Sequence, residues 1–341
     1  MKKNIYLLLF ILMSSCTMLP TPKPITTGLE EANPVGPGSY ADSELQWSHN
    51  GRYLAFVDVA GNFPQPGFYD VENDKQWILE DIWTIRVAWH PSGRLSYLEK
   101  IPNQDNSNYP LASNLHVVDL DGKNDEILVS GLEGRIRDFV WLKDGQNALI
   151  IIKDVEQPYM GKVYLLNTIS GQLEDFFKQD ILMNRDPLSL SLSTDETKMI
   201  IWSENPCEEG QGCVSFIIID IQSRNIIDDH DSTALSFILE GTTEKLDVYS
   251  ENTSWVNNQW IVTKGSAILP GDKPVSSIVF INIEDLKRSF MIEATNSFGG
   301  PVVDSSVSSI AFINHNRGQY SEFITIAPLP EEVCEKIKCN Q

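Results

Sequence analysis

A ten-residue pattern recurs about six times along the 341-residue chain: an aromatic residue, a short polar turn that usually contains glycine, and an alternating apolar run. Successive copies begin 42, 52, 51, 63 and 57 residues apart. One structural unit is therefore used repeatedly, and this spacing is typical of β-propeller blades. The copies are WSHNGRYLAF from Trp47, WHPSGRLSYL from Trp89, WLKDGQNALI from Trp141, LSTDETKMII from Leu192, the truncated WVNNQWIVT from Trp255 and the looser FINHNRGQYS from Phe312.

A second pattern follows each of the first five copies, with about four apolar residues closed by Asp or Asn and a polar turn. Short runs rich in Val, Ile and aromatic residues between Gly, Asn and Asp are typical of β-strands joined by tight turns. No window of comparable length shows helical spacing. We therefore predict an all-β chain, folded as a six-bladed β-propeller of four-stranded antiparallel blades. The second pattern reads FYDVENDK from Phe68, LHVVDLDGK from Leu115, VYLLNTISG from Val163, FIIIDIQSR from Phe216 and IVFINIEDL from Ile278.

The residue types of the first pattern suit a tight turn that follows a strand. Glycine adopts positive φ in a tight turn without steric cost. The tryptophans stand at equivalent points on equivalent strands, where a large flat side chain fills the wedge between adjacent sheets. We assign to this repeat scaffold Trp47, Gly51, Trp89, Gly93, Trp141, Gly145 and Trp255.

The WSPDG-like turn followed by LAF, together with a strand that ends in a D-x-D-G-K turn, resembles the WD-like repeats of TolB-type six-bladed propellers and of prolyl oligopeptidase propeller domains. The resemblance covers residues 45 to 327 and is strongest for Trp47–Phe56 and Leu115–Lys123. It implies a propeller without the second domains of those families. Since the sixth blade ends with FITIAP at Phe323–Pro328, a strand between Ile25 and Leu45 is expected to close the ring.

The N-terminal segment resembles a bacterial lipoprotein signal. Lys2 and Lys3 precede an apolar run, Ile5–Met13, that is shorter than the roughly 20 residues of a membrane-spanning helix. Cleavage before Cys16 would leave a lipidated, palmitate-bearing cysteine, although Met13 departs from the usual aliphatic residue. The alternative is a plain secretory signal with a chance cysteine.

The predicted organisation follows from these features. Residues 1–15 are the signal peptide, residues 16–40 the lipidated cysteine and a Pro-rich tether, residues 41–330 the propeller, and residues 331–341 a C-terminal disulfide tail outside the ring. The protein is expected at the cell envelope, on an outer membrane facing the periplasm or at the cell surface.

Four cysteines remain after Cys16. An exported chain favours two short-loop disulfides, Cys207 with Cys213 and Cys334 with Cys339. The alternative four-cysteine metal site would need two distant segments to converge and lacks the usual two-residue spacing. We expect neither a metal nor a cofactor.

The net charge of the chain indicates which class of partner it can bind. Without its signal, the chain has 24 Lys and Arg against 47 Asp and Glu, a net charge of −23. Such a surface repels nucleic acid and suits either plain solubility or a basic partner. The acidic patch of Asp228, Asp229 and Asp231 is either a solvated loop, which is favoured, or a binding site for a cation or a basic partner.

Motifs of hydrolases, zinc enzymes and nucleotide-binding enzymes are missing from the sequence, so no catalytic residue is assigned. His49, His90 and His315 fall in repeat turns, His116 in a strand and His230 in the acidic patch. A structural or solvent-exposed role is favoured for each, because a catalytic base also needs a positioned partner.

One segment, DLDGKNDE at Asp119–Glu126, has the first spacings of a calcium loop. Lys123 occupies its fifth position and Asn124 replaces the glycine required at the sixth. The same turn recurs without its acids elsewhere, so a repeat turn is favoured.

Insertions mark the places where the repeat breaks, and loops of variable length often carry function. The leading hypothesis is a non-catalytic scaffold that binds protein or peptide and is held at a membrane by its lipid. The alternatives are an enzyme or carbohydrate-binding protein with a site in the central funnel, and, on fold analogy alone, a subunit of an envelope assembly. The insertions are Ile101–Ser113, Glu204–Gly212, Asp229–Asn252 and Gly265–Pro274.

Overall fold

Six four-stranded antiparallel sheets form a ring, so the predicted all-β, six-bladed propeller is confirmed. Each blade is a meander whose first strand lies innermost and whose fourth strand lies at the rim. The computed structural model describes residues 34–38, 45–59, 63–100, 112–153, 160–177, 181–182, 185–206, 212–230, 246–269, 273–293, 300–316 and 321–339.

The first three blades follow the chain without interruption. Blade one has β2 (Gln46–Trp47), β3 (Tyr53–Asp58), β4 (Gln65–Asp70) and β5 (Lys75–Ile78); blade two has β6 (Thr84–Trp89), β7 (Leu95–Lys100), β8 (Ala112–Val118) and β9 (Glu126–Glu133); blade three has β10 (Arg135–Trp141), β11 (Asn147–Lys153), β12 (Gly161–Asn167) and β13 (Gln172–Asp175).

The last three blades include the closure of the ring, in which β1 (Pro34–Gly38) is the rim strand of blade six. Blade four has β14 (Asp186–Leu192), β15 (Lys198–Pro206), β16 (Gly212–Asp220) and β17 (Asn225–His230); blade five has β18 (Leu246–Asn257), β19 (Trp260–Leu269), β20 (Lys273–Asn282) and β21 (Phe290–Glu293); blade six has β22 (Val302–Val303), β23 (Ser309–Asn316), β24 (Ser321–Pro328) and β1.

The N-terminal strand closes the ring as expected. β1 runs antiparallel to β24, with Pro34 opposite Thr325 and Gly38 opposite Glu322. These residues lie within the segment that sequence analysis assigned to the tether, so the ring begins at Pro34 rather than at residue 41. One sheet of the propeller thus joins the two ends of the chain.

The sixth copy of the first pattern was placed wrongly. Phe312 and His315 lie inside β23, whose partner strand is β24. The turn equivalent to the others joins β22 to β23, where Asp304 accepts the amide hydrogens of Ser308 and Ser309. This turn has neither glycine nor tryptophan, since Val303 holds the place of Trp47. Phe312, nine residues after Val303, imitated the start of a repeat.

Four motif tryptophans bind adjacent blades together. Each indole Nε1 donates a hydrogen bond to the preceding blade, a polar contact that the sequence pattern did not reveal. The acceptors are Val302 O for Trp47 at 3.2 Å, Gln46 O for Trp89 at 2.8 Å, Ser96 Oγ for Trp141 at 2.7 Å and Ser191 O for Trp255 at 2.9 Å.

Replacing Trp141 tests this blade-to-blade bond. Ser96 is fully buried, accepts the indole hydrogen and donates its own hydroxyl hydrogen to Ala88 O. Trp141→Phe removes that donor and leaves a small void, so the free energy of unfolding should fall by about 2–3 kcal/mol. Urea denaturation measures the loss. Trp83→Phe, at an exposed indole, is the control, and equal losses in both variants would contradict the proposed role.

Asp70, the last residue of β4, carries a carboxylate whose ionisation should stabilise the fold. Arg52 Nη2 lies 2.7 Å from Asp70 Oδ2, and Asn73 Nδ2 donates to the same oxygen. The Arg52 hydrogen bond, opposed by partial desolvation and aided by Asn73, lowers the pKa of Asp70 to about 2. A lowered carboxyl pKa stabilises the fold above the unfolded value near 4, and this contribution disappears as the pH falls toward 2.

Acid titration of stability gives the measurement. Between about pH 4 and pH 2, the free energy of unfolding should fall more steeply in the wild type than in Asp70→Asn, which has no carboxyl group to titrate. Parallel curves for the two proteins would show that the ion pair of Arg52 with Asp70 does not contribute to the free energy of unfolding.

The C-terminal tail forms a short helix, α1 (Glu331–Ile337), which sequence analysis did not predict. It lies outside the blades, yet Val333 and Ile337 are buried in the core shared by blades five and six. Asn257 Nδ2 donates to Ile337 O, and the predicted disulfide between Cys334 and Cys339 is present. The tail therefore packs against blades five and six.

Candidate functional site

The innermost strands of the six blades surround a central cavity of about 370 Å³. Serine and threonine hydroxyl groups and apolar groups share its wall with a few charged side chains. The cavity combines access from the ring axis with polar groups from several blades, so it is the first place to look for a site. Its charged and imidazole-bearing lining residues are His49, Arg86, Asp138, Lys143 and Glu196.

Bulges in the innermost strands shape this wall. Pairing with the second strand shifts register between Thr84 and Val87 in blade two, between Ile136 and Asp138 in blade three, and between Pro187 and Ser189 in blade four. A bulge re-aims the side chains around it and is often found next to functional sites. In these blades the bulges coincide with the polar layer of the channel.

Arg86 and Asp138 form the centre of that layer and connect three blades. Arg86 Nε donates to Arg137 O at 2.8 Å and lies 3.5 Å from Asp138 Oδ1. The other oxygen, Oδ2, accepts the Leu190 amide hydrogen at 2.6 Å, while Oδ1 accepts that of Phe139 at 2.9 Å. Blade two is thereby tied to blade three, and blade three to blade four.

Burial raises the pKa of Asp138, while Arg86 and the two amide hydrogen bonds oppose that rise. A carboxyl group with a raised pKa in a cavity is one recognised mark of a catalytic or binding group. Here the same carboxyl group also has a clear structural role, because its hydrogen bonds cross between blades.

Sequence analysis missed both residues, although a positional signal was present. Arg86 stands three residues before Trp89, and Asp138 stands three residues before Trp141. Ser189 has the same position relative to Leu192. Comparing the residues that precede each repeat would have placed these polar groups on one level of the channel.

A second cluster of polar residues lies where the channel meets the short turns that join the first and second strands of the blades. Lys143 N donates to Glu196 Oε1, and Lys143 Nζ donates to Thr194 O, both at 2.7 Å. Burial raises the pKa of Glu196, whereas burial, Lys143 and His90 lower the pKa of His49. These contacts join the turns of blades three and four.

The same end of the ring contains further bonds between blades. His90 Nε2 lies 2.9 Å from Gly145 O, and a carbonyl oxygen accepts only if that nitrogen carries the hydrogen. Ser305 Oγ donates to His49 O, which connects blade six to blade one. His49 and His90 therefore lie in repeat turns, as predicted, and His90 has a structural contact.

The other histidines have different surroundings. Buried His116 lies between two carboxyl groups, with Nε2 3.1 Å from Glu99 Oε2 and Nδ1 3.1 Å from Asp125 Oδ1, and its ring stacks on Tyr97. Nε2 of His230 lies 3.0 Å from Asp228 Oδ2. Sequence analysis placed His116 in a strand correctly but gave no hint of its buried network.

The calcium-like segment is a turn between β8 and β9. Gly122 N donates to Asp119 O, Asn124 Nδ2 donates to Asp119 Oδ2, and Lys123 N donates to Asp121 Oδ1. These hydrogen bonds hold the segment as a turn, and Asp119 Oδ1 also lies 2.9 Å from Arg94 Nε. Within the described ranges, no cluster of three or more His, Cys, Asp or Glu has the geometry of a metal site.

Several predicted features fall outside the described residues: the signal, Cys16, Cys207, Asp231 and most of the insertions. The Cys207–Cys213 bond stays a prediction for that reason. The strand ends that flank the insertions at 101–111, 207–211 and 270–272 all lie at the end of the ring opposite the short turns, as the meander requires. No helix in the described part of the chain is long and apolar enough to cross a bilayer.

Comparison with known proteins gives a likeness in fold. No family model and no curated protein matches the sequence. Among solved structures, the chain is similar to oligogalacturonate lyase from Vibrio parahaemolyticus (10% identity, 91% of this chain and 97% of that chain, TM-score 0.54). It is also similar to a luciferin-regenerating enzyme (13% identity, 86% and 96%, TM-score 0.53) and to the β-propeller domain of the Trilobed protease from Pyrococcus furiosus (13% identity, 85% and 99%, TM-score 0.51).

These likenesses span nearly the whole of each matched chain. Together with the six-blade arrangement, they confirm the β-propeller fold predicted from the repeats. At such identities the shared property is the fold, because one propeller scaffold serves unrelated activities.

Proposed function

We propose that this protein is an exported, lipid-anchored propeller that binds a protein or peptide partner, with a preference for a basic one, and performs no chemistry itself. The main support for this proposal is that polar residues of the channel, in the described part of the chain, form hydrogen bonds between blades. Arg86, Asp138, Lys143 and Glu196 all bond across neighbouring blades. Such groups build a rigid ring that presents its outer surfaces and loops.

The anchoring part of the proposal rests on the N-terminal sequence. A positive start, a short apolar run and Cys16 point to lipidation, and residues 17–33 link that cysteine to β1. A fully extended chain spans at most about 3.6 Å per residue, so the ring would stay within roughly 60 Å of the membrane surface. Cys16→Ser should release the protein from the membrane fraction and remove the lipid mass from its N-terminal peptide.

Cross-linking the anchored protein in envelope preparations, at low and high salt, tests the binding function. We expect a defined basic partner whose recovery falls as salt screens the acidic surface, because the mature chain carries a net charge of −23. Recovery of nothing specific at any salt concentration would count against a binding scaffold.

A second candidate is a site of chemistry in the channel. Asp138 favours it, since burial raises the pKa of its carboxyl group beside a cavity shared by all six blades. Turnover of a glycan or peptide substrate that is abolished in Asp138→Asn, with the fold retained, would establish this activity. A broad substrate screen without turnover would leave the scaffold as the better account.

A further inference from the structure

The rim strand of blade four exposes an unusual pair of residues. Ile226 and Ile227 are 39% and 52% exposed and adjoin on β17. Ile218 pairs with Asp228 and Ile219 pairs with Ile226, so Ile227 is the extra residue of a bulge. A bulge turns a side chain out of the regular alternation, and here it leaves two neighbouring isoleucines in contact with water. We call Ile226, Ile227, Asp228 and Asp229 the blade-four edge.

Carboxylates adjoin this apolar pair. The side chains of Asp228 and Asp229, which follow Ile227 on the same strand, are 47% and 40% exposed. Arg185 holds Asp229 through two hydrogen bonds of 2.8 and 2.6 Å, which fixes the carboxylate in one orientation. A fixed and partly exposed carboxylate can accept further hydrogen bonds at low entropic cost.

Two segments of the sequence, one within blade four and one after it, are rich in acidic residues. Residues 204–212 contain three glutamates and no Lys or Arg, and residues 228–247 contain six acidic residues and one lysine. Both segments belong to blade four or lead from it to blade five. The acidic excess of the whole chain is therefore pronounced in the parts of the sequence that precede β16 and follow Ile227.

We propose that the blade-four edge docks a basic segment of a protein partner that also carries apolar side chains. Apolar groups of that segment would cover Ile226 and Ile227, while its Lys or Arg residues meet Asp228 and Asp229. A second copy of the chain fits poorly, because a net charge of −23 on each copy repels it and a bulge discourages strand pairing at an edge. This inference rests on the proposed binding function and specifies its surface.

Binding of a defined probe locates the surface. The probe is a fluorescein-labelled, amidated peptide of alternating Lys and Leu, titrated by anisotropy against the full chain in detergent at two salt concentrations. The Ile226→Ser/Ile227→Ser variant should bind at least tenfold more weakly. Asp228→Asn/Asp229→Asn should bind several-fold more weakly and show a smaller salt dependence.

Matched controls lie at the short-turn end of the ring. Ile169, 74% exposed in the turn between β12 and β13, and Asp121, in the turn between β8 and β9, are replaced by Ser and Asn. Both controls should bind the probe as the wild type does. Thermal unfolding of every variant shows that the fold is intact, since all the replaced side chains are exposed.

The outcomes separate this inference from the broader function. Equal weakening by edge and control variants, or no binding to the wild type, would overturn the blade-four edge as a docking surface. The cross-linking experiment in envelope preparations tests the scaffold function independently. If the partner uses another surface, its cross-links will still form in the edge variants. Selective loss in the edge variants supports the proposal.

Discussion

A chain that lacks residues 17–38 should lose its cooperative unfolding transition, because the deletion removes the rim strand that closes blade six. β24 would then lose its partner along the line from Glu322 to Thr325. Ile324, opposite Val35, is fully buried in the core between blades six and one and would become exposed. The expected loss is on the order of 5 kcal/mol or more, comparable with the whole stability of many domains.

The matched control is deletion of residues 17–31, which shortens the proposed tether and keeps β1. This shorter deletion should leave the melting temperature within a few degrees of that of the wild type, as measured by circular dichroism and calorimetry. If the longer deletion melts like the control, the pairing of β1 with β24 contributes little and the ring closes without it.

Asp138→Ala should destabilise the fold by about 3–5 kcal/mol, as measured by urea denaturation at pH 7. The substitution leaves the Leu190 and Phe139 amide hydrogens without their acceptor and removes the ion pair of Asp138 with Arg86. The cost combines two lost amide acceptors with the loss of an ion pair whose side chains are each 13% exposed. Ser191→Ala, on the same channel wall, should cost less than about 1 kcal/mol.

The two carboxyl groups Asp70 and Asp138 should respond to pH with opposite signs. Burial raises the pKa of Asp138, so its contribution to the free energy of unfolding decreases as the pH rises from the unfolded value near 4 toward its higher folded value. Asp138→Asn should remove that decline. A variant that kept the wild-type pH profile above pH 4 would show that Asp138 does not titrate in this range.

A blade could be predicted from the sequence where an aromatic residue is followed by a turn that contains glycine. Gly51, Gly93 and Gly145 all have positive φ, as the repeat predicted. The equivalent turns of blades four and six place Glu196 and Val307 in that conformation instead, with φ of 57° and 55°. Tertiary packing imposes a backbone that these residues disfavour, so the sixth turn had no local signal and its register was misread.

The candidate site was less predictable, for a different reason. The contact of Arg86 with Asp138 depends on bulges in two strands and on the spacing of two blades, and neither can be deduced from a single repeat. The same holds for His116, whose two carboxyl neighbours come from another strand and a turn. Sequence repeats specify each blade, whereas functional contacts arise between strands and blades.

The position of β1 has a mechanical consequence. In a chain tethered by its N terminus, any pull on the body enters the ring at Pro34 and is resisted first by the short ladder between β1 and β24, which a bulge interrupts between Val35 and Pro37. The closure of the ring is then the first part of the fold to carry the load. A partner that strained the tether would act first on the contact between blades six and one, where Trp47 bonds to Val302.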